Sequence, residues 1–208
     1  MSEKVFSIGD SLSYGWDKFK KHYAFLIGIL ILIFFINLIM GIFSSIFEET
    51  FPVLDLIFNI LTLVISFVLT IGAINIYLKI YDEKQPSIHD LYDVTPSLFF
   101  RCLLAAILVG LIVLVGLLLF IIPGIIIIIM LQYFIYIIVD KDLDSIESIK
   151  ESRRITSGYK WDLLLLYIVL AGLNLLGILC FGIGLLVTIP VSSLAYIYVY
   201  KKLADRDI

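Results

Sequence analysis

Long apolar runs alternate with short polar ones along this chain, and the lengths of the apolar runs say what they are. Residues 23–47 are interrupted only by Asn37 and two serines. At about 1.5 Å per residue, such a helix exceeds the roughly 30 Å hydrocarbon core of a bilayer. Glu48-Glu49-Thr50-Phe51-Pro52 then predicts a turn. Pro52 suits the first position of a new helix, where its missing N–H costs nothing. A second run extends to about Ile80, with Asp55 in its first turn, where the helix dipole favours a carboxylate. Residues 98–139 are apolar apart from Arg101 and Gln132. One helix of that length would be about twice the membrane thickness, so the run must fold back, and Ile122-Pro123-Gly124 is the natural reversal. Residues 163–200 pose the same problem, and Gly182-Ile183-Gly184 offers the matching turn. The pattern predicts six spans, at 23–47, 53–80, 98–120, 124–139, 163–180 and 184–200.

Composition agrees. Apolar residues are 62% of the 208 and charged residues 16%, with a mean hydropathy of +1.10. A soluble domain carries roughly 45–50% apolar and about 25% charged residues. So much apolar surface could not be buried in a water-soluble sphere of this size, and disorder or a disulfide scaffold is excluded too. The chain reads as an all-α integral membrane protein. The net charge of −3 gives no basic bias toward nucleic acid. Threaded six times, all 15 Lys and Arg residues fall on one side, and the opposite turns carry only Glu48, Glu49 and Asp55. The positive-inside rule then puts both termini in the cytoplasm of a multi-pass cell-membrane protein. No cleavable leader is expected, because the first apolar run starts late and is too long for one.

The cytoplasmic segments look alike. Ser7-Ile8-Gly9-Asp10, Ser87-Ile88-His89-Asp90 and Ser145-Ile146-Glu147-Ser148 all open on Ser-Ile. The first two fit a capping box, and in the third Asp144 can cap with Glu147. The pair ends match as well: Tyr136 to Leu143 aligns with Tyr196 to Leu203, Gly124 with Gly184, and the stretch from Tyr77 to Asp82 is a weaker third copy. We therefore expect three transmembrane hairpins, each preceded by a cytoplasmic, interfacial amphipathic helix, as a threefold internal repeat with units at about 5–81, 86–141 and 143–203. In the first such helix Ile8, Leu12, Trp16, Phe19 and Tyr23 form the apolar stripe. In the second, Pro96 starts a new helix. In the third, Arg153 occupies the apolar face and snorkels. Such helices lie naturally in the headgroup plane or pack on the bundle.

Chemistry is sparse. His22 and His89 lack metal-binding spacing. Phosphate-binding glycine loops and nucleophile elbows are absent, and no enzyme activity, cofactor or metal is expected. Cys102 and Cys180 read as small buried hydrophobes. Gly41–Ser45 and Ala106–Gly110 have the spacing of close helix contacts, and Pro190 should kink the last span. No charged residue sits near a span's midpoint, so the polar candidates are neutral: Asn37, Gln132 and Asn174 above all. Two readings are open for them, interhelical hydrogen bonding or a polar site for a small neutral or zwitterionic ligand. Lys150, Arg153, Arg154 and Lys160 are the candidates for contact with anionic lipid headgroups.

The second half also carries a resemblance. The Ile122-Pro123-Gly124 turn leads to a span ending in Val139-Asp140, followed by Ser145-Ile146, Ser152-Arg153-Arg154, Gly158-Tyr159-Lys160-Trp161 and Thr188-Ile189-Pro190. Near the start stands Gly15-Trp16-Asp17-Lys18-Phe19. With these motifs the chain resembles an uncharacterised family of bacterial and archaeal multi-pass proteins often labelled as the membrane domain of glycerophosphoryl diester phosphodiesterase. The resemblance implies a membrane domain, with the phosphodiesterase activity belonging to a separate barrel that these residues do not contain. It implies no site residues. The expected function is that of a non-enzymatic membrane scaffold, accessory or lipid-interacting protein, with a transporter or channel for a small neutral or zwitterionic solute as the alternative. Membrane lipids are the expected partners, a protein partner or homo-oligomer is left open, and no nucleic acid is expected.

Overall fold

The computed structural model describes residues 5–47 and 52–207. Lys4 and residues 48–51 of the turn expected at 48–52 lie outside the described residues. Among the described residues eight α-helices follow one another: α1 (Ile8–Phe47), α2 (Pro52–Tyr81), α3 (Pro96–Leu119), α4 (Ile121–Leu131), α5 (Phe134–Lys141), α6 (Ser145–Thr156), α7 (Lys160–Leu179) and α8 (Leu185–Ala204). Among the described residues there is no strand.

Local chemistry explains the boundaries. Pro96 opens α3, and the Thr95 hydroxyl accepts the Leu98 N–H at 3.3 Å, satisfying one of the helix's free donors. Phe120 is extended (φ −159°, ψ 144°) and separates α3 from α4. The reversal thus falls a little before the expected Ile122-Pro123-Gly124, and Pro123 sits in the first turn of α4, where a proline is tolerated. After α7 the chain turns through Phe181 and Gly182, both with positive φ, where the glycine signal placed it. The segment before the first apolar run is helical from Ile8 and is set off from it by a kink at His22 (φ −122°, ψ 16°), so α1 is two helices joined there. The second of the segments expected to be cytoplasmic is a single 3-10 turn, Ile88–Leu91, held by the expected capping box: Ser87 Oγ accepts from His89 N–H and Asp90 Oδ2 accepts from Ser87 N–H.

Among the described residues, five helices are long and apolar enough to cross a membrane: Ile8–Ile46, Val53–Tyr81, Pro96–Leu119, Ile121–Lys141 (interrupted at Gln132 and Tyr133) and Lys160–Leu179. α8 has 20 residues but is less apolar, carrying Pro190, two serines and three tyrosines. It is also the most enclosed. Leu194, Ala195, Ile197, Val199 and Tyr200 are fully buried, and α1, α2, α6 and α7 all pack on it. A helix wrapped by other helices meets protein partners rather than lipid tails, so polar side chains on it can be satisfied.

Close approach decides which faces meet. On α1 the buried face is Ser11, Gly15, Phe19 and Leu26, while Trp16 and Tyr23 of the expected stripe are 47% and 57% exposed. Gly15 is the reason: a Cβ there would lie 2.5 Å from the Val191 carbonyl oxygen of α8. A similar contact joins Gly177 to Gly184 across the α7–α8 turn. Gly41 and Gly110 meet nothing within 4 Å, so the small-residue spacings around them make no such contact. Cys102 is buried as expected, but Cys180 is exposed because it lies at the end of α7, where the chain reverses.

Gly15→Ala should lower the thermal midpoint of the detergent-solubilised protein, by about 1–3 kcal/mol in stability, although alanine is the better helix former. Gly28→Ala, where a Cβ meets nothing within 4 Å, should leave the midpoint unchanged or raise it. Equal midpoints for the two variants would refute the close α1–α8 contact.

Candidate functional site

The third of the segments expected to be cytoplasmic forms α6, a helix as expected, but turns a different face inward. Its buried residues are Ser145, Ser148, Ser152, Ile155 and Thr156, while Ile146 is exposed. The cause is the interruption between α4 and α5. There Ser152 Oγ accepts from the Tyr133 N–H (3.2 Å) and donates to the Met130 carbonyl (3.1 Å), and Thr156 Oγ1 lies 3.0 Å from the same carbonyl. Ser145 Oγ donates to the Arg101 carbonyl at 2.7 Å. Backbone groups released by a break in an apolar setting must find partners, and the hydroxyl face of α6 supplies them. Asp144 stands at the N-cap without a side-chain cap bond, contrary to expectation; its carbonyl accepts the Ser148 N–H instead. Arg153 is exposed rather than set on a buried apolar face.

That arrangement gathers cations. Lys150, Arg153, Arg154 and Lys160, the four proposed for lipid contact, line one cavity of about 370 Å³ together with Met130 and Ser157. Arg154 is held by Glu151 (Nε to Oε2, 2.7 Å), which also takes Lys141 at 2.9 Å. Lys150, Arg153 and Lys160 have no ion-pair partner among the described residues. Most other cations do: Lys18 with Glu83, Lys79 with Asp90, Arg101 with Asp142. The Arg154 hydrogen bond, with Lys141 adding to it, holds the Glu151 carboxyl down from 4.5 to about 2.

The neutral polar candidates on the apolar helices also lie near one another. Gln132 and Asn174 line one cavity of about 380 Å³ with Ser192 and the rings of Tyr136, Tyr167 and Tyr196. Asn37 lines a neighbouring cavity of about 310 Å³ with Ser66, and Tyr136 and Ser193 border both. Interhelical hydrogen bonds are present: Ser66 Oγ donates to Asn37 Oδ1 (2.7 Å), Asn174 Nδ2 to Ser192 Oγ (3.2 Å) and Tyr196 OH to Gln132 Oε1 (2.8 Å).

Sequence reasoning missed the cluster beneath these cavities. Lys201 Nζ lies 2.7 Å from Asp140 and 3.4 Å from Asp82, and Tyr200 OH donates to Asp140 at 2.8 Å. These residues follow the aligned tyrosines Tyr77, Tyr136 and Tyr196 by four or five positions, which was the available signal. Among the described residues no three His, Cys, Asp or Glu side chains converge as a metal site would require.

Among known proteins, residues 117–207 are similar to a family whose model is described as "Protein of unknown function (DUF975)". The match fits an uncharacterised family and does not carry the phosphodiesterase-membrane-domain label. No curated protein and no solved structure matches the chain.

The Glu151 pairing predicts a pH dependence. Its carboxyl ionises at a lower pH folded than unfolded, so its contribution to stability is full above pH about 4.5 and disappears as pH falls toward 2. Glu151→Gln should remove that part of the acid dependence when unfolding is followed between pH 6 and 3. An unchanged profile would contradict the pairing.

Proposed function

We propose that this protein is a non-enzymatic, multi-pass protein of the cell membrane, a scaffold or accessory factor that holds anionic lipid headgroups on its cytoplasmic face. One observation carries the reading: Lys150, Arg153, Arg154 and Lys160 share a single cavity, and three of the four lack an ion-pair partner among the described residues. Unpaired cations gathered at a membrane surface attract anionic lipid by about 1 kcal/mol each. Met130 belongs to an apolar helix of spanning length and lines the same cavity, which suits a site with acyl chains on one side and phosphate on the other.

In this reading α8 is a sixth crossing. Its 20 residues reach about 30 Å, and its polar groups are tolerated because other helices enclose it. Both termini are cytoplasmic, since every basic residue then lies on one side. The threefold repeat is supported by the meeting of the three aligned ends. Tyr136 packs beside Tyr196 with tilted rings whose centres are 5.3 Å apart, Tyr77 and Tyr136 border one cavity, and Asp82, Asp140 and Lys201 form one ion cluster.

The test is lipid selectivity. Purified protein studied by native mass spectrometry with equimolar phosphatidylglycerol and phosphatidylcholine should retain the anionic lipid preferentially. Lys150→Gln, Arg153→Gln and Lys160→Gln combined should reduce that preference at least tenfold. An absent preference in the natural protein, or one that survives the triple substitution, would sink the reading.

A further inference from the structure

The cavity between α4, α5, α7 and α8 has polar atoms that nothing in the fold uses. Asn174 Nδ2 donates to the Leu170 carbonyl (3.0 Å) and to Ser192 Oγ (3.2 Å). A carbonyl can only accept, so this fixes the amide's orientation and leaves Oδ1 as the free end. Gln132 Oε1 accepts a hydrogen bond from the Tyr196 hydroxyl (2.8 Å), which leaves Nε2. Gln132 Nε2 and Asn174 Oδ1 are both buried and without a hydrogen-bond partner. One is a donor and the other an acceptor, and both belong to residues lining the same space of about 380 Å³. Unsatisfied buried polar atoms are costly, and natural proteins keep few of them.

The walls narrow what could satisfy them. No charged side chain lines the cavity; its surface is aromatic and aliphatic apart from the two amides and two serines. An ion or zwitterion would therefore lie uncompensated, whereas a neutral group would not. The volume is at the small end of the range of ligand pockets, about 300–1,000 Å³.

We propose that this cavity binds an uncharged group which accepts from Gln132 and donates to Asn174, a primary carboxamide being the matching chemistry. The rings of Tyr136, Tyr167 and Tyr196 hold the apolar part beside it. This is independent of headgroup binding, since the cation cavity shares no lining residue with it. The same carboxamide reaches the cavity either from water or on a chain dissolved in the bilayer.

The experiment measures scintillation-proximity binding of tritiated benzamide, a water-borne carboxamide, and of tritiated oleamide, a bilayer-borne one. The full chain is held in phosphatidylcholine nanodiscs, and empty discs are subtracted. Saturable binding is expected for at least one probe. Benzamide binding identifies an aqueous source, and binding of oleamide alone identifies a lipid-borne one. Asn174→Leu and Gln132→Leu should each weaken that binding at least tenfold. Ala171→Phe, which fills the cavity without altering either amide, should do the same and serves if a leucine variant fails to fold. Asn59→Leu, whose amide bonds Asp55 within α2, should bind as the natural protein does. The proposal is overturned if neither probe saturates, if the cavity variants bind normally, or if Asn59→Leu loses binding equally.

Discussion

Polar groups inside a hydrocarbon slab must find their partners within the protein, because lipid tails offer none. That constraint orders the whole structure. α8 carries Pro190, Ser192, Ser193, Tyr196, Tyr198, Tyr200 and Lys201, and it lies against α1, α2, α6 and α7. The interruption of the fourth apolar helix frees backbone groups at Met130 and Tyr133, and α6 presses a face of serine and threonine onto them. Apolar exposure is correspondingly outward: Leu118 is 77% exposed and Phe181 97%. These are the surfaces a bilayer would cover.

Satisfying the break has a consequence for charge. With its hydroxyls turned inward, α6 must direct Lys150, Arg153 and Arg154 outward, and Lys160 joins them from the start of α7. Glu151 neutralises only part of this set. A structural requirement at one face of a twelve-residue helix thereby produces the cationic surface on the other. The polar cavity has a different origin. It follows from placing three tyrosines and two amides where α5, α7 and α8 converge.

Much of this was legible in the residues. Apolar run length located the long helices within a few positions, since a helix able to cross a membrane needs such a run. Glycine at 182 marked the α7–α8 reversal, and the four cations named for lipid contact do share a cavity. Gln132 and Asn174 share another, because polar residues in apolar helices have few places to go. The inward faces were not legible. A stripe of large apolar residues pointed to Trp16 and Tyr23, but contact with α8 is set by how closely backbones approach, and Gly15 permits what tryptophan blocks. The break at Gln132 and Tyr133 carries no proline or glycine, so no local signal announced it. The Asp82–Asp140–Lys201 cluster depends on three distant segments meeting, visible in the sequence only as aligned tyrosines.

The central claim is that α8, though the least apolar of the long helices, traverses the bilayer at the heart of the bundle. Single cysteines at Ile183 and Lys202, placed at the two ends of α8 in a chain with Cys102 and Cys180 replaced by serine, test it directly. Labelled in intact cells with a membrane-impermeant maleimide, Ile183→Cys should react from outside, and Lys202→Cys only after the membrane is opened. Reaction of both positions from the same side would contradict the account.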